Sequence, residues 1–265
     1  MKHVIITGGT RGIGSGLVKE FLENGYRVTF CGTSDSSVNA AVADLTNDYD
    51  SSLFRGIVCD VTRSADLSTL WDFSTSIFGP VDIWINNAGI SNRQLSFNKL
   101  GPEEFRKLVE INITGLMEAT HLAYEGMSRQ GYGSIYNMGG LGSDGRMIKG
   151  LTPYGMSKKA VQYFTKAFAR EVEKGPVIVG LILPGMVITD LLLDPLRRDP
   201  AGSRRAERIF NLLAEEVETV SPFIVKKIIE NRSNGVTISY LTTSRIIRNF
   251  FTRPFSGENL IRKHL

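Results

Sequence analysis

The chain has 265 residues, of which 42% are hydrophobic and 22% charged, with a formal net charge of +4. Such proportions exclude a disordered chain or a coiled coil, and no apolar run approaches the roughly 20 residues that a membrane-spanning helix needs. The charge sits at one end: residues 241–265 hold Arg245, Arg248, Arg253, Arg262 and Lys263 against Glu258, so the remainder sums to zero and lacks the broad basic face of a nucleic-acid binder.

Short β-rich runs alternate with helical patterns along the chain. Val4-Ile5-Ile6 reads as a first strand, followed by a helix over 12–23 with Ile13, Leu17, Phe21 and Leu22 on one side. Asn24-Gly25 supplies the C-cap. Strands follow at Val28–Cys31 and Gly56–Cys59, then a helix near 64–78 that Gly79-Pro80 ends, and a strand at Ile83–Ile85. A long helix is expected over 103–129, a strand at Ser134–Asn137, a helix over 154–173, and strands at Val177–Leu183 and Gly235–Leu241.

Repeated strand–helix–strand units imply a parallel sheet with helices on both faces, and continuous apolar strands fit burial on both sides. The expectation is a single doubly wound, Rossmann-type α/β domain over 1–265 with a seven-stranded sheet. Its ligand edge lies at the C-terminal ends of the strands. Cys31 and Cys59 are too sparse for a disulfide framework, and no His or Cys neighbour suggests a metal site, so buried reduced thiols are expected. The strand pattern starts directly after Met1-Lys2-His3, leaving no room for a leader, and a cytoplasmic location is the default expectation.

The first strand runs into Thr7-Gly8-Gly9-Thr10-Arg11-Gly12-Ile13-Gly14. Glycines let a backbone turn sharply against a diphosphate, and the helix that begins here aims free N–H groups at it. Position between a strand and a helix is the context that this mechanism requires.

With Asn86-Asn87-Ala88-Gly89 after the fourth strand and Tyr154-Gly-Met-Ser-Lys158 on a later helix, the chain resembles the short-chain dehydrogenase/reductases. The resemblance runs to about Asp190 and takes in Asp60, Asn112 and Pro184-Gly185 with Thr189. It implies that Gly8, Thr10, Arg11, Gly12, Ile13 and Gly14 hold the cofactor phosphates. Asp60 and Val61 then flank the adenine, Asn87, Ala88 and Gly89 the ribose, and Pro184, Gly185, Val187 and Thr189 the nicotinamide end. Tyr154 and Lys158 match the catalytic pair, which also touches the cofactor, and Asn112 matches a residue that positions water in the family's proton relay. Independently of the family, residues four apart share a helix face, and a nearby ammonium is expected to lower the phenol's pKa from its usual value near 10.

One family feature is missing. The fifth strand usually ends in Asn-x-Ser-Ser, whereas here it reads Asn137-Met138-Gly139-Gly140, so Ser143 becomes the candidate replacement for the carbonyl-orienting serine. Asn137 to Arg146, together with Pro184 to Leu192, resembles the chlorophyll b reductase branch of the family.

No carboxylate stands in Cys31-Gly32-Thr33-Ser34, where NAD-specific sheets place one, although Asp35 lies close by. With Arg11 available to a 2′-phosphate, NADP(H) is favoured over NAD(H), and Thr33 joins the cofactor site. Residues 190–220 are expected to cover the substrate edge: Leu191, Leu192, Leu193, Ile209, Phe210, Leu212 and Leu213 are interspersed with Arg197, Arg198, Arg204 and Arg205. A bulky apolar aldehyde or ketone fits such a cover. The basic tail, 241–265, carries Ile246, Ile247, Phe250, Phe251 and Phe255, and packing on the substrate site, dimerisation and a membrane surface all remain open for it. A homodimer or homotetramer is expected. The competing reading, motivated by Gly140, is a cofactor-binding sensor or scaffold that has lost turnover.

Overall fold

The computed structural model describes residues 1–198, 210–252, 261, 263 and 264. Seven strands, all parallel to their neighbours, form one sheet. In chain order the first half runs β1 (His3–Ile6), α1 (Gly12–Glu23), β2 (Arg27–Gly32), α2 (Asp35–Asp48), β3 (Phe54–Val58), α3 (Ser64–Phe78) and β4 (Ile83–Asn86). The second half runs α4 (Pro102–Val109), α5 (Leu116–Gln130), β5 (Gly133–Met138), α6 (Thr152–Glu171) and β6 (Val177–Leu183). It closes with β7 (Met186–Val187), α7 (Asp190–Arg198), β8 (Ala214–Glu215), α8 (Val217–Glu230), β9 (Thr237–Ser239) and α9 (Thr243–Thr252).

Strand side chains alternate between two separate cores, as the two-residue period of a strand requires. Val4, Ile6, Ile83 and Ile85 pack with Leu17 and Phe21 of α1 and Val220 and Ile224 of α8. Ile5 and Trp84 point the other way, to Leu67 and Leu70 of α3 and Ala123 and Met127 of α5. Both faces of the sheet are therefore covered by helices, and the doubly wound fold is as expected. Cys31 and Cys59 are buried free thiols.

The structure amends several element boundaries. Helix α2 had no expectation: it buries only Val38 and Leu45, so its apolar stripe is too thin to show a period, and Ser34 starts it by accepting the Ser37 N–H at 3.3 Å. The expected single helix over 103–129 is two helices joined by a π-turn over Glu110–Gly115. Strand β3 begins earlier than expected, at Phe54, and β9 is shorter. Strands β7 and β8 form a small parallel pair of their own, beside the main sheet.

The tail packs on the segment that follows β6. Arg245 stacks over the Tyr240 ring at 4.2 Å, and Asn249, buried on α9, donates to Glu215 of β8 at 3.3 Å. Ile261 is fully buried against Ile188, Leu193 and Ala214, and Arg197 of α7 donates to the His264 carbonyl oxygen at 3.1 Å. Among the described residues, Ile247, Phe250 and Phe251 are the apolar side chains that α9 leaves exposed. Arg204, Arg205, Ile209, Arg253, Phe255, Glu258 and Arg262 lie outside the described residues, as does the side chain of Arg198.

Candidate active site

Strand order reverses between β1 and β4: β1 leads outward to β2 and β3, whereas β4 leads to β5, β6 and β9. Such a switch point opens a crevice at the C-terminal ends of the strands. Its floor is tight. The Asn87 amide donates to the carbonyl oxygens of Thr7 and Gly8 at 3.0 and 2.8 Å, and the Thr7 hydroxyl accepts the N–H groups of Asn87 and Ala88, both at 3.1 Å. Gly8 has φ +64°, and a Cβ there would stand 2.9 Å from the Ala88 Cα. A Cβ on Gly14 would run into the Gly8 carbonyl oxygen. Helix α1 begins after Arg11 with no side-chain cap, so its first N–H groups and positive end face the crevice. The cradle fits a diphosphate.

The other expected cofactor positions line the same edge. Thr10 lies against Gly32 at the end of β2, and Thr33 follows it. Asp60, with Val61 just beyond β3, has its pKa lowered: burial opposes ionisation, but the Thr62 N–H and hydroxyl, at 3.0 and 2.8 Å, outweigh it. The Thr189 methyl would meet a Cβ on Gly12 at 3.1 Å, which closes the crevice from above. Pro184, Gly185 (φ +82°) and Val187 carry the chain from β6 to Thr189. Arg11 is largely exposed, 4.0 Å from Asp190 at the start of α7.

Tyr154 and Lys158 lie on the first turns of α6, both buried, against the end of β5. The Lys158 ammonium donates to the Met138 carbonyl oxygen at 3.0 Å and stands 5.8 Å from the centre of the Tyr154 ring. Burial pushes the Tyr154 phenol up to about 12 and pulls the Lys158 ammonium down to about 8. The expected lowering of the phenol pKa by Lys158 is therefore corrected: removal from water dominates, and the phenol is held in its proton-donating form.

Asn112 sits in the π-turn between α4 and α5, an irregularity frequent at functional sites. Its Oδ1 accepts the Ile90 N–H at 2.9 Å, and its Nδ2 donates to the Ile90 carbonyl oxygen at 2.8 Å and to the Ser157 hydroxyl at 3.1 Å. A Cβ on Gly89 would lie 3.3 Å from Asn112 Oδ1 and 3.5 Å from Lys158 Nζ, so these two polar groups converge over the glycine.

Sequence reasoning missed Asn92. Its buried amide accepts the Tyr154 N–H at 3.2 Å and donates to the carbonyl oxygens of Gly150 and Arg93 at 2.8 and 2.6 Å. It thereby satisfies one of the orphan donors at the start of α6. A lone asparagine in a loop carries no periodic signal that could have revealed this.

Ser143 does not offer its hydroxyl as expected. It is 1% exposed, accepts the Gly140 N–H at 3.0 Å and donates to the Lys158 carbonyl oxygen at 3.1 Å. The single proton of the hydroxyl is thus spent on the α6 backbone. The geometry makes Ser143 a tether between the glycine loop and α6, in place of the substrate-orienting group expected.

The short chain dehydrogenase family model matches residues 2–198, the whole stretch that carries this site. The chain belongs to that family. It falls in the chlorophyll b reductase-like branch: it is 36% identical to the chlorophyll(ide) b reductase NOL of Oryza sativa, across 96% of this chain and 76% of that protein. The NOL protein of Arabidopsis thaliana is 34% identical, with 96% and 74% covered. The chain spans about half the length, 51% and 52%, of the NYC1-type relatives of the same two plants. In fold it superimposes on the 3-ketoacyl-(acyl-carrier-protein) reductase of Brucella melitensis complexed with NADH, with a TM-score of 0.78, 23% identity, and 90% and 96% of the two chains covered.

The protein is thus a NAD(P)-dependent oxidoreductase acting on C=O and CH–OH groups. The cytoplasmic expectation is overturned: these NOL and NYC1 relatives are chloroplastic. That default had rested on the two sparse, reduced cysteines, Cys31 and Cys59, which carry no address.

Proposed function

We propose that the protein is an NADPH-dependent reductase of a bulky apolar aldehyde or ketone, with Tyr154 as proton donor. The observation that carries this reading is the Tyr154 phenol, buried beside Lys158 at the same sheet edge as the phosphate cradle. Gly8, Arg11, Gly12, Ile13 and Gly14 would hold the diphosphate, Asp60 and Val61 the adenine, and Asn87 to Gly89 with Thr189 the ribose and nicotinamide end. When bound, the nicotinamide supplies hydride to the carbonyl carbon. Tyr154 donates its proton to the carbonyl oxygen as negative charge develops there. Lys158, tied to Met138, and Asn112, tied to Ile90 and Ser157, hold the polar groups beside that hydroxyl.

The preference for NADPH is supported by the end of β2. Gly32, Thr33 and Ser34 offer no carboxylate there, the positive N-terminus of α2 follows, and the hydroxyls of Ser34, Ser36 and Ser37 cluster at that helix start. Arg11, whose guanidinium is exposed, follows Thr10, which lies against Gly32. The segment after β7 supports an apolar substrate. Leu193 and Ile188 form its inner packing, while Leu191 is exposed and Leu192 and Phe210 are half-buried at its surface. A homo-oligomer is supported by Met117 on α5 and Met156 and Tyr163 on α6, large side chains left exposed on the outer helices. The relatives named as chlorophyll(ide) b reductases suggest a ring-borne aldehyde as the substrate class.

The test is NADPH oxidation measured against a panel of aldehydes and ketones graded in size, porphyrin-type aldehydes included. Turnover restricted to the large apolar members supports the reading. Turnover of small polar carbonyls alone refutes the substrate class, and tight cofactor binding with no turnover anywhere favours the sensor reading.

A further inference from the structure

Helix α9 is amphipathic the wrong way round for a helix facing water. Ile247, Phe250 and Phe251 stand three and four positions apart, so they share one face, and they are 53%, 61% and 67% exposed. Asn249 faces the opposite way, 3% exposed, and its amide donates to the Glu215 carboxylate at 3.3 Å. Arg245 holds the inner side too, its guanidinium 4.2 Å from the centre of the Tyr240 ring and 5.0 Å from that of Phe223. A surface helix normally buries its apolar stripe and shows water its polar one. Here polar contacts fix the helix to the body, and the large apolar side chains point away from it.

The charge around that face has one sign. Helix α9 holds Arg245 and Arg248 and no acid, and Arg248, three positions before Phe251, is exposed beside the apolar cluster. Lys263 is exposed as well. Residues 241–265 carry the whole formal net charge of +4. A second copy of the chain is a poor occupant. Two such faces would set cation against cation, and the three side chains expose on the order of 300 Å², well under the ~800 Å² per partner of a standard complex. An anionic lipid surface meets both features, since apolar side chains enter the acyl boundary while cations stay at the headgroups. The helix is also placed for it. It starts shortly after Ser239, whose strand β9 pairs with the end of β6, so it rises from the sheet edge that holds the crevice.

We propose that α9 is a lipid-docking helix. Ile247, Phe250 and Phe251 seat in the acyl boundary of an anionic bilayer surface, with Arg248 at its headgroups, and hold the protein with its crevice edge toward the lipid. This is independent of which carbonyl the enzyme reduces.

The test is cosedimentation of the full chain with vesicles of phosphatidylcholine alone, and of phosphatidylcholine and phosphatidylglycerol in equal parts. The wild type should bind the mixed vesicles about tenfold more tightly or better, and lose that binding as salt screens the charges. Phe250→Ser/Phe251→Ser should weaken it by about tenfold or more, while NADPH affinity and the thermal midpoint stay at wild-type values. Phe250→Trp gives a readout that needs no loss of binding: its emission should shift to the blue on mixed vesicles and be quenched by lipid with brominated chains. A wild type that leaves both kinds of vesicle unbound overturns the proposal, as does unchanged emission from Phe250→Trp. So does a double serine variant that folds and binds as tightly as the wild type. A wild-type dimer that the double serine variant breaks apart in sedimentation velocity overturns it too, and assigns the face to a second copy.

Discussion

Asn92→Ala tests whether the loop after β4 positions Tyr154, the proposed proton donor. The substitution removes three hydrogen bonds: one from the Tyr154 N–H, and two to the carbonyl oxygens of Gly150 and Arg93. Each such bond contributes about 1 kcal/mol net, so the loss is about 3 kcal/mol, more if the stranded groups stay dry. For a chain of this size that corresponds to a fall of about 6–12 °C in thermal midpoint. The local effect concerns catalysis. Freed of its cap, the start of α6 can shift, and a misplacement of about 1 Å can cost on the order of 10²-fold in rate. Most of the proposed cofactor contacts lie on the loops after β1, β3, β4 and β6, so NADPH affinity should stay within about twofold, well under the 1.4 kcal/mol of a tenfold change. Asn92→Asp should be worse than alanine, because a carboxylate would face two carbonyl oxygens. Thermal melts, cofactor titration and kcat on one aldehyde give the three readouts. An alanine variant that melts within about 2 °C of the wild type and keeps its kcat would refute the reasoning, since the three bonds would then contribute at most about 1 kcal/mol together, against the ~3 kcal/mol expected.

Tyr154→Phe should lower turnover by roughly 10²–10⁴-fold, the usual worth of a positioned proton donor, while the ring still packs and cofactor affinity is kept; steady-state kinetics with a cofactor titration check both. Ser143→Ala should lower stability by about 1–2 kcal/mol through the unpaired Gly140 N–H, with kcat reduced less than tenfold; a larger fall in kcat would restore Ser143 as a substrate-orienting group. Arg11→Ala should weaken NADPH binding more than NADH binding and so narrow the gap between them, and equal titration curves for the two cofactors in the wild type would count against the role of Arg11. Stability should fall on acidification. His3, buried with its ring nitrogens facing the Gly79 carbonyl oxygen and the Thr29 hydroxyl, has its pKa lowered from 6.5 to about 4 by removal from water. The unfolded chain binds a proton that the folded one refuses, so stability is lost as pH falls from about 6.5 to about 4, by about 3 kcal/mol in all. Urea titrations of wild type and His3→Gln across that window should converge at acid pH.

Much of this protein was legible in the amino-acid order because its signals are local. The strands β1, β4 and β6 hold continuous apolar runs, and such runs need no tertiary context to be read. The glycine loop declares itself by lying between one of these runs and a helix, and Tyr154 and Lys158 are brought together by four residues of helix. Helix α2 escaped because two buried side chains make no stripe, and the π-turn because the helical periods on either side of it read as one.

What only the tertiary structure decided depends on pairs distant in sequence. Asn92 meets Tyr154 across 62 positions, and the tail meets the segment after β7 through Ile261 and Leu193. Ser143, a hydroxyl beside a missing serine, looked like its substitute in one dimension. In three, its position against the backbone of Lys158 commits its only proton elsewhere. The pKa of Tyr154 follows the same logic. Spacing announced a nearby ammonium, but burial, which no spacing encodes, removed both groups from water and reversed the expected direction.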